Sequence, residues 1–161
     1  MTGANRPWRV ALVTVTYNSA PVLDDFLASL DRQSSTDWTL VAVDNASTDA
    51  TCEMLSKWRG SLHLIANNAN LGFAAANNRA ASLAAGSVLI LLNPDTVVSP
   101  GAIDGLCDIL AREPGIGVVG PRLVDAQGEP ACRGRCGVRW CVALGRGGCA
   151  RRAHRLPARR S

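Results

Sequence analysis

Four short clusters of Asn, Asp, Ser and Thr carry the chemistry this sequence can offer. They are Thr16-Tyr17-Asn18, Asp44-Asn45-Ala46-Ser47-Thr48-Asp49, Asn67–Gly72 and Asn93-Pro94-Asp95-Thr96. None contains Lys or Arg. Such loops suit a neutral, hydroxyl-rich ligand, and if that ligand carries a diphosphate, a divalent cation must neutralise it. Mg²⁺ and Mn²⁺ take one or two carboxylates, completed by water and phosphate oxygens. Asp95 follows the most apolar run in the chain, and Pro94 restrains the backbone before it. It is the candidate metal ligand, and the metal would act as a Lewis acid on a departing nucleoside diphosphate. Each cluster also has a plainer account. Asn-Pro-Asp-Thr is ordinary turn chemistry, and judged alone the turn is the better account of Asp95. Asp44 either stabilises a turn or accepts hydrogen bonds from a base or ribose, while Thr48 or Asp49 caps the next helix. Asn70 and Gly72 could form a simple strand-to-helix turn.

The elements that must hold these clusters alternate. Val10–Val15 is a β-rich apolar run, as expected of a strand buried on both faces. A helix opens at Pro21 with apolar residues Val22, Leu23, Phe26, Leu27 and Leu30. Further strands are predicted at Trp38–Val43, Leu62–Ala66, Val88–Leu92 and Ile116–Val119, with a short one at Arg122–Val124. Further helices are predicted at Ala50–Arg59, at Phe73–Ala85 closed by Gly86, and from Pro100 to about Arg112. This order implies an α/β fold, a mostly parallel sheet with helices on both faces. Ligands in such folds bind at the carboxyl ends of the strands, where all four clusters lie.

Charge divides the chain. Residues up to Glu129 hold eight Lys or Arg against thirteen acids, a net of −5, whereas the stretch after Pro130 has nine arginines and no acid. The pI near 9.0 therefore reflects the tail and not the body. Cys52 and Cys107 fall on predicted helices as small apolar thiols. No secretory signal is visible, and the longest apolar stretch, Ala80–Leu92, is too short for a bilayer and is broken by Gly86. These features place the chain in the cytoplasm with reduced thiols, and leave room for a peripheral position at the inner membrane face.

Several chemistries are set aside. The first strand is followed by TYNSAP, without the glycines of a dinucleotide fold. The one lysine, Lys57, lies on a helix and not in a P-loop. A Ser-His-Asp hydrolase needs a positioned histidine, and His63, inside a strand, is read as structural.

The runs VTVTYN (Val13–Asn18), VDNASTD, NANLGFAAANNRA and LILLNPDT (Leu89–Thr96), in this order, resemble the family 2 glycosyltransferases with the Rossmann-like GT-A fold. The rhamnosyltransferase-like branch, with N-x-D-x where other members carry D-x-D, is most similar. The resemblance covers roughly Val10–Asp125. It implies transfer of a sugar from a nucleoside-diphosphate donor to a hydroxyl acceptor with inversion at the anomeric carbon, the acceptor being a cell-envelope glycan or a lipid-linked sugar. It implies a nucleotide pocket lined by Thr16 and Asn18, a base- and ribose-binding Asp44, and an N-x-G loop at Asn70 and Gly72. Asn93 and Asp95 occupy the first and last positions of the metal motif. Asp95 would contact Mg²⁺ or Mn²⁺, and the neutral Asn93 the ribose or diphosphate. Asp49 is read as a helix cap. The N-x-D-x variant suggests thymidine diphosphate-rhamnose as donor, with uridine diphosphate sugars open. None of Asp104, Asp108, Glu113, Asp125 and Glu129 is marked as the general base, so no catalytic base is assigned.

The domain is expected over residues 1–130 as an incomplete, truncated transferase. Residues 131–161 (ACRGRCGVRWCVALGRGGCARRAHRLPARRS) form an Arg-, Cys- and Gly-rich tail. Cys132, Cys136, Cys141 and Cys149 make no C-x-x-C pair, and arginines with a single Trp make a weak nucleic-acid signal. The favoured expectation is an unfolded or non-native tail, such as out-of-frame translation of a GC-rich gene, with no specific nucleic acid bound. The alternative to an active transferase is a non-catalytic nucleotide-sugar-binding fragment, and a basic-tailed nucleic-acid binder is a third possibility.

Overall fold

The computed structural model describes residues 9–33 and 37–125, together with the backbone of 142–145. The elements run β1 (Val10–Thr16), α1 (Ala20–Asp31), β2 (Trp38–Asp44), α2 (Thr51–Lys57), β3 (Leu62–Ala66), α3 (Phe73–Leu83), β4 (Val88–Leu91), α4 (Ala102–Arg112), β5 (Val118–Val119) and β6 (Val142–Gly145). One sheet has the order β3-β2-β1-β4-β6-β5. The first four strands are parallel. β6 runs antiparallel between β4 and β5. The expected α/β architecture is therefore present, with one antiparallel strand added.

Alternation along β1 explains why the sheet is covered twice. Val10 and Leu12 pack with Phe26, Leu23 and Leu30 of α1, Leu55 of α2, and Ile103 and Leu106 of α4. Ala11 and Val13 point the other way, against Ala76 and Ala80 of α3. The helices on one face thus offer large side chains and α3 on the other offers alanines, so α3 lies close to β1 and β2. Full burial of each large apolar side chain contributes about 1.5–3 kcal/mol.

Element ends differ from the sequence expectation for local reasons. α2 stops at Lys57 and not Arg59, because Trp58 turns extended, stacks on Trp38 at 6.1 Å and donates to Asp31 Oδ1 at 3.0 Å. α3 stops at Leu83, where Ala84 is already extended. Gly86 has a different task from closing that helix. A Cβ there would lie 2.8 Å from the Ala11 nitrogen and 2.9 Å from the Arg9 carbonyl oxygen, so its bare backbone lets the turn meet β1. β5 keeps only two residues, since the Ile116 amide is spent on the Glu113 carbonyl. Arg122–Val124 forms no strand beyond a single bridge at Val124.

Four residues expected in an unstructured tail, Val142–Gly145, are instead β6. A short apolar run here satisfies the edge amides of β4, which would otherwise stand unpaired. The rest of the tail lies outside the described residues. Among the described residues, no helix is long and apolar enough to cross a membrane.

Candidate functional site

A cleft of ≈ 610 Å³ opens at the carboxyl ends of the parallel strands, within the range of small-molecule sites. Of the seven residues expected to bind donor, five line it: Asn18, Asn70, Gly72, Asn93 and Asp95. They come from the ends of β1, β3 and β4 and the start of α3. Tyr17, Pro21, Val22, Phe73, Pro94 and Asn45 complete much of the wall, which contains no Lys or Arg.

Thr16 and Asp44 do not line this wall. They are the last residues of β1 and β2 and are direct partners in the parallel register. That register brings the Thr16 hydroxyl to Asp44 Oδ1 at 2.8 Å. The Ser47 amide donates to Oδ2 at 2.8 Å and its hydroxyl to Oδ1 at 2.5 Å. Asp44 is 1 % exposed. Burial opposes its ionisation, yet hydrogen bonds from the Ser47 hydroxyl and amide, Thr16 and Cys52 outweigh that and hold its carboxyl below the ordinary range. This geometry accounts for the turn-stabilising role that the sequence offered for Asp44.

The turn so held supports the cleft wall. Ala46 sits at φ 64 and Asn18 at φ 48, both left-handed. Asn18 donates its amide to Ser47 Oγ and accepts from the Thr48 amide, each at 2.8 Å. Asp49, expected as a helix cap, stands one residue before the cap position of α2, which is Ala50, and its carboxylate reaches the first amides of two helices. It accepts from the Ala20 amide at 3.1 Å and the Thr51 amide at 3.0 Å, and the Thr51 bonds with those from the backbone hold its carboxyl below the usual range. Thr51 Oγ1 in turn accepts the Ser19 amide at 2.8 Å.

Asn93-Pro94-Asp95-Thr96 is a turn, closed by Thr96 N–H to Asn93 O at 3.1 Å. It also lines the cleft, so the two readings of Asp95 describe the same geometry. Asp95 is exposed and Asn93 half-buried. The segment beyond is anchored to α1: the Val98 amide donates to Ser29 Oγ at 3.0 Å, and Gln33 Nε2 donates to the carbonyls of Val98 and Ser99 at 3.2 and 3.0 Å.

Among the described residues no group of three or more His, Cys, Asp or Glu could cage a metal. The donor set that is present, one carboxylate beside an amide in a wall without cations, fits a hydrated Mg²⁺ or Mn²⁺ shared with phosphate oxygens. It does not fit Zn²⁺, which wants N and S ligands in a closed site. His63 is exposed on β3, outside the cleft, and Cys107 is buried among apolar side chains.

Sequence reasoning gave no separate role to Asn45, Asn67 or Arg79. Asn45 and Asn67 each stand one residue past a strand, and their amides continue the ladder to Thr16 O and Asp44 O, both at 2.8 Å. That repeated placement was the available signal.

The sequence profile of glycosyl transferase family 2 matches residues 11–137. The N-acetylglucosaminyl-diphospho-decaprenol L-rhamnosyltransferase of Mycobacterium tuberculosis is 36% identical over 129 residues, covering 73% of this chain and 42% of that protein. A putative teichuronic acid biosynthesis glycosyltransferase of Bacillus subtilis, TuaG, is 30% identical over 89 residues, covering 53% of this chain and 35% of the relative. This chain thus spans less than half the length of these relatives. S. aureus TarS 1–349 superposes with a TM-score of 0.70 at 21% identity, covering 78% of this chain and 38% of that one. The mannosyltransferase PcManGT from Pyrobaculum calidifontis, in complex with GDP-Man and Mn²⁺, gives 0.62 at 27% identity, covering 71% and 35%.

Proposed function

Since the chain belongs to glycosyl transferase family 2, we propose that its cleft is the donor-binding half of a transferase that moves a sugar from a nucleoside diphosphate to a hydroxyl acceptor, with inversion at the anomeric carbon. The observation that carries this reading is convergence: Asn18, Asn70, Gly72, Asn93 and Asp95, far apart in sequence, share one cleft. The M. tuberculosis and B. subtilis relatives support a cell-envelope glycan or lipid-linked acceptor.

In this reading Asp95 holds the metal, which when bound neutralises the diphosphate and eases its departure. Asn93 offers an uncharged amide to the ribose or diphosphate. Asn18 and the Asn70–Gly72 loop form the nucleotide wall, held from below by Thr16 and Asp44. No catalytic base is assigned among the described residues. Calorimetry with thymidine and uridine diphosphates, with and without Mn²⁺, tests the proposal. Binding should require the metal and weaken at least roughly tenfold in Asp95→Ala, about 1.4 kcal/mol. Binding that ignores both the metal and the substitution would overturn it. Thymidine diphosphate-rhamnose is the first donor to assay for transfer or hydrolysis, which separates an active transferase from a binding fragment.

A further inference from the structure

We propose that Arg79, an exposed residue on α3 outside the cleft wall, is a positioning residue that orients the donor cleft through a one-way chain of side-chain amides. This rests on the donor-site reading of the cleft.

The chain has three links. Arg79 Nη1 donates to Asn67 Oδ1. Asn67 Nδ2 donates to Asn45 Oδ1 at 2.8 Å. Asn45 Nδ2 donates to the Gly72 carbonyl at 3.4 Å. Asn45 and Asn67 are 2 % and 6 % exposed, and Asn45 and Gly72 line the cleft.

The direction is fixed by the chemistry of the first group. An amide side chain presents a donor and an acceptor of nearly equal shape and can lie either way round. A guanidinium only donates. Its presence forces the Asn67 oxygen toward Arg79 and the Asn67 nitrogen toward Asn45. Asn45 must then offer its own oxygen to Asn67 and its nitrogen to Gly72. Without Arg79, both amides could rotate together, and Asn45 would turn an oxygen toward the Gly72 carbonyl, two acceptors face to face. Buried amides surrounded by few alternatives make such a reversal costly but not impossible.

Gly72 is where the orientation matters. Its φ of 79 and ψ of 164 lie in a region open essentially to glycine alone. The peptide is held there from both sides. Its N–H donates to Asn70 Oδ1 at 2.9 Å, and its carbonyl accepts from the Ala76 amide at 3.2 Å as well as from Asn45. Losing the Asn45 contact weakens the restraint on the very loop that carries Asn70, Gly72 and Phe73 into the cleft.

The test compares Arg79→Met, which keeps length and loses every donor, with Arg79→Lys, which keeps a donor. The first readout needs no ligand: hydrogen exchange of the Asn45 and Asn67 side-chain amides by ¹⁵N NMR on the metal-free protein. The second is the Kd for thymidine or uridine diphosphate with Mn²⁺. Arg79→Met should lose amide protection and bind roughly tenfold more weakly, with little change in unfolding temperature because Arg79 is a surface residue, and Arg79→Lys should restore both. Unchanged amide protection in Arg79→Met, or equal behaviour of the Met and Lys variants, overturns the relay. Loss of protection rescued by Lys, in a protein that binds neither nucleotide, supports the relay and refutes the donor-site reading instead.

Discussion

Beneath the cleft a thiol sits against a carboxylate. Burial first, then the hydrogen bond to Asp44 and the charges of Asp44 and Asp49, push the Cys52 thiol up to about 11. At pH 8 only ~0.1% of it is then thiolate, the species that alkylates. Cys52 is half-buried, so its protonation more than its access limits reaction. Peptide mapping after iodoacetamide should find Cys52 labelled slowly at pH 8, with the rate rising toward pH 11 and already faster at pH 8 in Asp44→Asn. Ready labelling of the unaltered protein at pH 8 would show that Asp44 does not control this thiol. The same carboxylate illustrates what could be read from sequence. Asp44 was recognisable as a chemical residue by its place after a strand, but its partner was not. Thr16 meets it only because β1 and β2 pair in register, a relation no local pattern contains. The amide chain from Arg79 was hidden for the same reason, since the direction of an Asn side chain is decided by what tertiary packing sets beside it.

At the scale of elements, the loop entering α3 makes a sharp demand. Gly72 occupies a conformation that a Cβ strains, though nothing within 4 Å would touch that Cβ. Gly72→Ala should therefore cost stability through backbone strain alone, about 1–3 kcal/mol by denaturant unfolding. It should also weaken nucleotide binding, because the loop relaxes by moving Asn70 and Phe73. A loss below about 0.5 kcal/mol, within the usual range of neutral surface changes, would mean that the loop yields freely. The strands of the parallel core were legible because β-branched runs flanked by polar turns have few other fates, and Leu62–Ala66 is reproduced to the residue. Helix ends were less so. Trp58 leaves α2 to stack on Trp38, twenty residues earlier in the chain and on β2, and a stop signal of that kind is tertiary. β6 was missed because four apolar residues among arginines and glycines carry no period, and only the open edge of β4 makes a strand of them.

For the whole molecule, the turn after β2 couples stability to acid. Asp44 and Asp49 ionise below the ordinary carboxylate range in the folded chain and return to about 3.9 when unfolded. Their contribution is complete above the unfolded value and disappears as pH falls through the lowered folded values. Denaturant unfolding followed downward from pH 6 should show stability falling below about pH 4, with a shallower fall in Asp44→Asn. An identical slope in that variant would remove Asp44 as a source of the acid sensitivity. The two layers over the sheet also differ in what they allow. Phe26, Leu23 and Leu30 fill one side, while Ala76 and Ala80 fill the other. A layer of large side chains can be trimmed, whereas a layer of methyl groups can only be thickened. Ala76 and Ala80 act as shims: their size fixes how far α3 stands from the sheet. A methyl or two added to either would push α3, and with it Phe73 at its first turn, away from the sheet, so the cleft wall can be adjusted from residues that do not line it.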